Sequence, residues 1–251
     1  MWPFEVSAEI LALLILAGFL AGFVDAIAGG GGLVALPVML FAGATPIEAL
    51  STNKVQGLFG AGSAAVTYAR AGHVDWRDQA KPFFIAVLAG VLGAILTSKL
   101  PVEFVRQMLP FALIGIALFF ALKPNLDDSA RHARIGLGAF TVTFVPLVGF
   151  YDGLIGPGAG AFYMLAFVGF AGLGILEATA RTKVANFGSN IGGMLAFAVF
   201  AAPWWGVGLA MGVAQIFGAR VGAKLAMKKG AKLIKPLLIF MSIAMAIKLL
   251  F

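Results

Sequence analysis

Long apolar runs, separated by short polar or glycine-rich stretches, recur along the whole chain. A hydrocarbon core of about 30 Å takes about 20 helical residues to cross, so the runs predict membrane helices. In the first half they fall at residues 9–28, 32–43, 46–70, 80–98 and 102–121. In the second half they fall at 134–154, 158–172, 175–200, 204–226 and 232–251. The runs at 32–43 and 158–172 are short, and each follows a glycine cluster, Gly29 to Gly32 and Gly156-Pro157-Gly158-Ala159-Gly160. Both are expected to be re-entrant hairpins or short crossings. The fold class predicted is an all-α polytopic membrane protein.

Composition narrows the class further. Of 251 residues 61% are hydrophobic and 12% charged, about half the charge of a soluble domain. So few charges cannot cover a water-facing surface, which excludes a soluble enzyme, a disordered chain and a nucleic-acid module. There is no cysteine, so disulfides and thiolate metal sites are excluded. Glu5 and Glu9 replace the basic stretch of a cleavable signal peptide, so the first run is expected to stay as a helix with its N-terminus outside. If every run then reverses direction, 14 of the 18 Lys and Arg fall on the cytoplasmic side and 4 on the other. That asymmetry favours this orientation over its inverse. Trp204 and Trp205, after Pro203, suit an outer aromatic belt.

The two halves resemble each other. Gly22-Phe-Val-Asp-Ala-Ile-Ala-Gly-Gly-Gly31 parallels Gly149-Phe-Tyr-Asp-Gly-Leu-Ile-Gly-Pro-Gly158 at an offset of 127 residues. Glu48-Ala-Leu-Ser-Thr-Asn-Lys-Val55 parallels Glu177-Ala-Thr-Ala-Arg-Thr-Lys-Val184 at an offset of 129. Two motifs in the same order at nearly one offset mark a repeat, over residues 1–123 and 134–251 with a linker at 124–133. Each copy holds five segments, an odd number, so the second copy enters the membrane from the opposite side. Inverted repeats with interrupted helices at matching places characterise many secondary transporters, and the interruptions point to the binding site.

Through these residues the chain resembles the sulfite exporter TauE/SafE family of membrane transporters. The motifs that carry the resemblance are Gly22 to Leu33, Ala35-Leu-Pro37 and Thr52-Asn-Lys54, echoed by Arg181-Thr-Lys183 with Asn186 and Asn190. The resemblance covers essentially the whole chain. It implies a multi-pass transporter of the bacterial inner membrane for small anions, often organosulfur compounds or sulfur oxyanions. Arg181-Thr182 stands where the first copy has Thr52-Asn53, so the two half-sites differ.

The candidate substrate site gathers around two lysines. Lys54 and Lys183 each lie eight residues into their runs, about 12 Å deep from opposite faces at 1.5 Å per residue. A membrane lysine needs a partner or a wet cavity; otherwise its stem reaches an interface. Two converging ammonium groups would form the cationic floor of one anion site. Gly30, Gly31 and Gly158 could turn backbone N–H groups toward the anion at a helix N-terminus, or serve as hinges that allow close packing. Thr52, Asn53, Gln56, Thr182, Asn186 and Asn190, with Ser189, offer groups for oxyanion oxygens or for bridging helices. Asp25 and Asp152 are read as a proton relay or countercharge, or as caps of the adjoining turns. Glu48 and Glu177 suit the positive ends of their helices. His73 and His132 fall in basic loops, and no metal-ligand spacing occurs. No metal or cofactor is expected.

The function expected is a secondary transporter that moves a small anion by alternating access. An anion channel is the alternative; an intramembrane enzyme lacks any nucleophile–base constellation, so no enzyme activity is expected. The partners expected are the small anion and the lipid bilayer, with no nucleic acid; a homo-oligomer is compatible with the sequence.

Overall fold

The structure, a computed structural model, describes residues 5–101, 103–104, 132–230, 232–234 and 236–237. These residues form eight helices: α1 Ala8–Ala28, α2 Gly31–Phe41, α3 Pro46–Arg70, α4 Trp76–Lys99, α5 Leu137–Leu154, α6 Ala159–Gly169, α7 Ile175–Phe200 and α8 Trp205–Lys229. The described residues contain no strand. The runs expected at 102–121 and 232–251, and the linker at 124–133, lie wholly or mostly outside the described residues.

Local chemistry sets the helix ends. Thr45 and Glu48 form a capping box, with the Glu48 N–H donating to Thr45 Oγ1 at 3.3 Å and the Thr45 N–H to Glu48 Oε2 at 2.7 Å. Helix α4 starts at Trp76, four residues before its apolar run, because the Asp75 carboxylate accepts the Arg77 N–H at 2.8 Å. Helix α8 continues past its apolar run to Lys228 and Lys229, cations that suit the negative helix end.

Helices α1, α4, α5 and α8 are long and apolar enough to cross a membrane. Exposed apolar stripes run along them at four-residue spacing: Phe84, Leu88, Leu92 and Leu96 on α4; Leu209, Val213, Phe217 and Val221 on α8. Water-soluble surfaces rarely carry such continuous strips, whereas a bilayer solvates them. The molecule is an all-helical, multi-pass membrane protein. Helices α3 and α7, of 25 and 26 residues, are also long enough to cross, but their buried middles are polar.

Contacts at glycines fix how the helices run. Gly18 lies against Met211 and Gly22 against Gln215, so α1 and α8 are parallel. Gly208 lies against Thr52 and Val55, and Gly212 against Phe59, so α3 is parallel to α8. Gly188 meets Phe83 and Gly192 meets Val87, which makes α4 parallel to α7. Gly149 meets Ala86 and Ala89 while Gly93 meets Leu154, which makes α5 parallel to α4. Helices α3 and α7 cross antiparallel: the Lys54 stem lies on Gly193, Gly57 faces Asn190 and Gly62 faces Phe187. Helices α1, α3 and α8 therefore run one way, and α4, α5 and α7 the other.

The two short helices fold back. On α2, Leu33, Leu36 and Met39 share an apolar cluster with Leu11, Leu14 and Ala17 of α1, and Gly31 sits against Ala21. On α6, Phe167 stacks on Phe140 of α5 with centroids 4.3 Å apart, and Tyr163 Oη donates to the Val145 carbonyl at 3.2 Å. Each short helix thus returns along the helix before it.

Candidate substrate site

The two glycine turns meet in the middle of the bundle. Gly29 closes α1 with a left-handed φ of 74°, and Gly158 opens α6 with φ 77°. Glycine reaches this region without the penalty that a Cβ imposes. The turns touch through their backbones: a Cβ on Gly29 would lie 2.3 Å from the Ala161 nitrogen.

Around this contact lie two buried ion pairs, and each joins the first half of the chain to the second. Lys54 Nζ on α3 donates to Asp152 Oδ1 on α5 at 2.5 Å. Lys183 Nζ on α7 donates to Asp25 Oδ2 on α1 at 3.1 Å and also to the Asp25 carbonyl oxygen. The lysines are 1% and 0% exposed, so their stems do not carry the charge out to an interface. Asp25 combines two roles, because its Oδ1 also accepts the Gly31 N–H at 3.3 Å at the start of α2. Asp152 differs in that its second oxygen accepts from the Ser189 hydroxyl. Glu177, read only as a helix-end charge, pairs with Arg181 at 2.9 Å.

A polar cavity of about 30 Å³ opens beside these pairs. At roughly 10–15 Å³ per water, it takes about two or three waters. Asp25, Asp152, Asn53, Asn186, Asn190, Gly31 and Gly158 line it. Lys54 and Lys183 are not among the wall residues; each ammonium pairs with a wall carboxylate, so the charged side chains in the wall are acidic. Gln56 is one layer back, its Nε2 donating to Asn53 Oδ1 at 3.0 Å. Thr52 lies at the start of α8, where its Oγ1 accepts the Trp204 N–H at 2.8 Å. Thr182 is buried, and its Oγ1 has no hydrogen-bond partner among the described residues. Gly30 caps α2 without reaching the wall. Asn190 Nδ2 donates to the Asn186 carbonyl at 2.7 Å, which turns both amides to one side of α7.

Sequence reasoning missed Gln215. It lines the cavity and donates through Nε2 to Gln56 Oε1 at 2.7 Å, joining α8 to the network on α3. A lone amide inside the apolar run Met211-Gly-Val-Ala-Gln215-Ile-Phe was its signal, since a polar side chain at membrane depth calls for a partner.

A wider groove of about 920 Å³ separates α3, α7 and α8. Its wall includes Leu58, Ile191 and Ile216, the residues that follow the cavity residues Gly57, Asn190 and Gln215. Arg70, Arg220 and Lys224 stand at its far end, where α3 and α8 approach their C-termini.

Comparison with known proteins agrees with a membrane chain of lipid-facing helices. The model of the family described as "Sulfite exporter TauE/SafE" matches residues 14–249. The chain belongs to the sulfite exporter TauE/SafE family. Its relatives include "Probable membrane transporter protein ORF9" of Sinorhizobium sp, 52% identical over 98% of this chain and 94% of that one. "Probable membrane transporter protein YfcA" of Escherichia coli K12 is 41% identical over 99% of this chain and 92% of its own. A "Probable membrane transporter protein" of Haemophilus influenzae is 38% identical over 98% and 97%. No solved structure matches the chain. Among TauE/SafE members, then, this one holds two cross-paired lysines and a small polar cavity where its two glycine turns meet.

Proposed function

We propose that this protein is a secondary transporter of the bacterial inner membrane. It moves a small anion (a sulfur oxyanion, an organosulfonate or a similar ion) by alternating access between two inverted repeats. The observation that carries the reading is the cavity at the α3–α7 crossing, where both glycine turns and both cross-chain ion pairs converge. Helix directions support the repeat: α1 and α5, α3 and α7, and α4 and α8 are the matching elements, and each pair runs in opposite senses. In this reading Asn53, Asn186 and Asn190 with the amide of Gly158 receive the anion's oxygens, while the Gly31 N–H stays on the Asp25 carboxylate. Gln56 holds the Asn53 amide in place, and Thr52, Thr182 and Gly30 stand outside the cavity wall. Lys54 and Lys183 supply positive charge, and Asp25 and Asp152 are their countercharges.

The basic groove is the route to the cytoplasmic side, in keeping with the lysine and arginine asymmetry of the loops. The test is a stabilisation screen of the purified protein with sulfite, sulfate, thiosulfate, methanesulfonate and acetate. An anion that binds the folded state at 100 times its Kd adds about 2.7 kcal/mol of stability. A saturable rise with one or more anions, absent for choline or sodium at equal ionic strength, is expected. No rise with any anion overturns the reading.

A further inference from the structure

We propose that the carrier takes up one proton with each anion, and that Asp152 is the group that holds it. The inference rests on the anion-carrier reading and adds its coupling ion.

Lys54, Asp152, Lys183 and Asp25 sum to zero, and all four are buried. The cavity wall presents the two carboxylates and neither ammonium. An anion that entered this site alone would meet acidic oxygens and leave an unbalanced negative charge in a poorly solvated space, which proteins avoid. A proton on one carboxylate removes the repulsion, releases a lysine and keeps the site neutral when it is loaded with a monoanion.

The two aspartates are not equivalent as acceptors. If Asp25 is protonated, Lys183 still has the Asp25 carbonyl oxygen as a partner, and the Gly31 N–H still needs the carboxyl. Lys54 has no partner other than Asp152 among the described residues. Protonating Asp152 therefore frees the whole Lys54 charge for the anion.

The groups around Asp152 permit this. Lys54 faces it from α3, the Ser189 hydroxyl from α7, Asp25 from α1 and Tyr163 from α6. Tyr151 on its own helix is engaged with the Pro157 carbonyl. Helix α4 brings Ala86, Ala89, Gly90, Gly93 and Thr97 against α5, none of which titrates. Asp25 is neutralised by Lys183, so the Lys54 ammonium is the one uncompensated neighbour once Asp152 is protonated. In the step itself a hydronium ion reaching the cavity gives its proton to an Asp152 oxygen. One O–H bond forms, a water molecule is left, and Lys54 keeps all three of its protons. Proton and anion leave together on the other side.

Methanesulfonate is a monoanion near neutral pH, so it serves as a probe that carries no proton of its own and whose charge one proton balances. Calorimetry in two buffers of different ionisation enthalpy counts protons bound per anion. The expected count is close to one, with Kd weakening about tenfold per pH unit, or about 100-fold from about pH 6 to about pH 8. Asp152→Asn mimics the protonated acid, so its Kd should be the same at both pH values. Binding with no proton uptake and no pH dependence overturns the proposal and leaves the carrier reading standing. Binding that instead requires sodium overturns it too. If no anion of the stabilisation screen binds at either pH, the carrier reading fails and the proposal with it. Should Asp152→Asn not fold, the proton count on the unaltered protein decides alone.

Discussion

Lys54 is paired with Asp152 and Lys183 with Asp25, so the damage done by removing one charge should be repaired only by removing its own partner. Lys54→Met leaves the Asp152 carboxylate, 3% exposed in the pair, without a counterion. Breaking a buried pair this way costs about 3–5 kcal/mol, most of it for the charge left behind. Asp152→Asn alone leaves Lys54 in the same position at a similar cost. The double variant Lys54→Met/Asp152→Asn buries no unpaired charge, and replacing a whole pair with neutral groups is often nearly neutral. A coupling of about 3 kcal/mol or more is therefore expected in the matched cycle. The mismatched double Lys54→Met/Asp25→Asn strands both Asp152 and Lys183, and its losses should add to about 6–10 kcal/mol. The assay is the unfolding free energy in mixed micelles of dodecyl sulfate and a mild detergent, with the monodisperse yield after extraction as a second readout. A matched coupling below about 0.5 kcal/mol, or rescue of Lys54→Met by Asp25→Asn, would refute the swapped pairing.

Two further outcomes follow from the turns and the topology. Gly29→Ala should destabilise the fold by about 2–5 kcal/mol, combining about 1–2 for left-handed backbone with about 1–3 for overpacking; Gly138→Ala, where a Cβ would meet nothing within 4 Å, should be neutral or up to about 1 kcal/mol stabilising, both read by the same unfolding assay. Since the chain has no cysteine, single cysteines report sidedness cleanly: Lys228→Cys should react with an impermeant maleimide only from the cytoplasmic side and Lys99→Cys only from outside, and the reverse pattern would invert the topology.

Much of the architecture was legible because a bilayer imposes one strong rule on sequence. Helix α3 starts and ends where its apolar run does, and Pro46 and the Thr45–Glu48 box mark its start unambiguously. The glycine clusters likewise announced the breaks before α2 and α6. What the sequence could not supply was the identity of neighbours. Periodicity says which face of a helix is polar but not which helix meets it, so the partnership of Lys54 with a carboxylate 98 residues away had no local signal. The same limit hid the role of the lysines. Equal depth and matching repeat positions suggested two ammonium groups facing one anion, yet each is paired with an aspartate of the other half that lines the cavity. Helix α4 began earlier than its apolar run because Asp75, a polar cap, has no weight in a hydropathy pattern.

The arrangement of α3 against α8 bears on how such a site could open to either side. At one end the two helices are fastened: Thr52 Oγ1 holds the Trp204 N–H, and Gly208 and Gly212 admit Val55 and Phe59 at close range. Toward the other end Ser63 still donates to the Ile216 carbonyl at 3.1 Å, and beyond it Arg70, Arg220 and Lys224 share the mouth of the groove. Like charges there oppose closure, weakly in water and more strongly where lipid displaces water. Closing that mouth thus requires either an anion between the cations or their separation, while opening the opposite end requires loss of the Thr52 contact. In the proposed alternating-access carrier the ion pairs would lie at the pivot between these ends. Each joins the two halves of the chain, so a rocking motion of one half against the other must carry both pairs through unbroken or exchange them for contacts to substrate. A pair such as Lys183 with Asp25, which keeps a backbone carbonyl as a second anchor, suits the fixed hinge. A pair such as Lys54 with Asp152, which has none, suits the side that lets go.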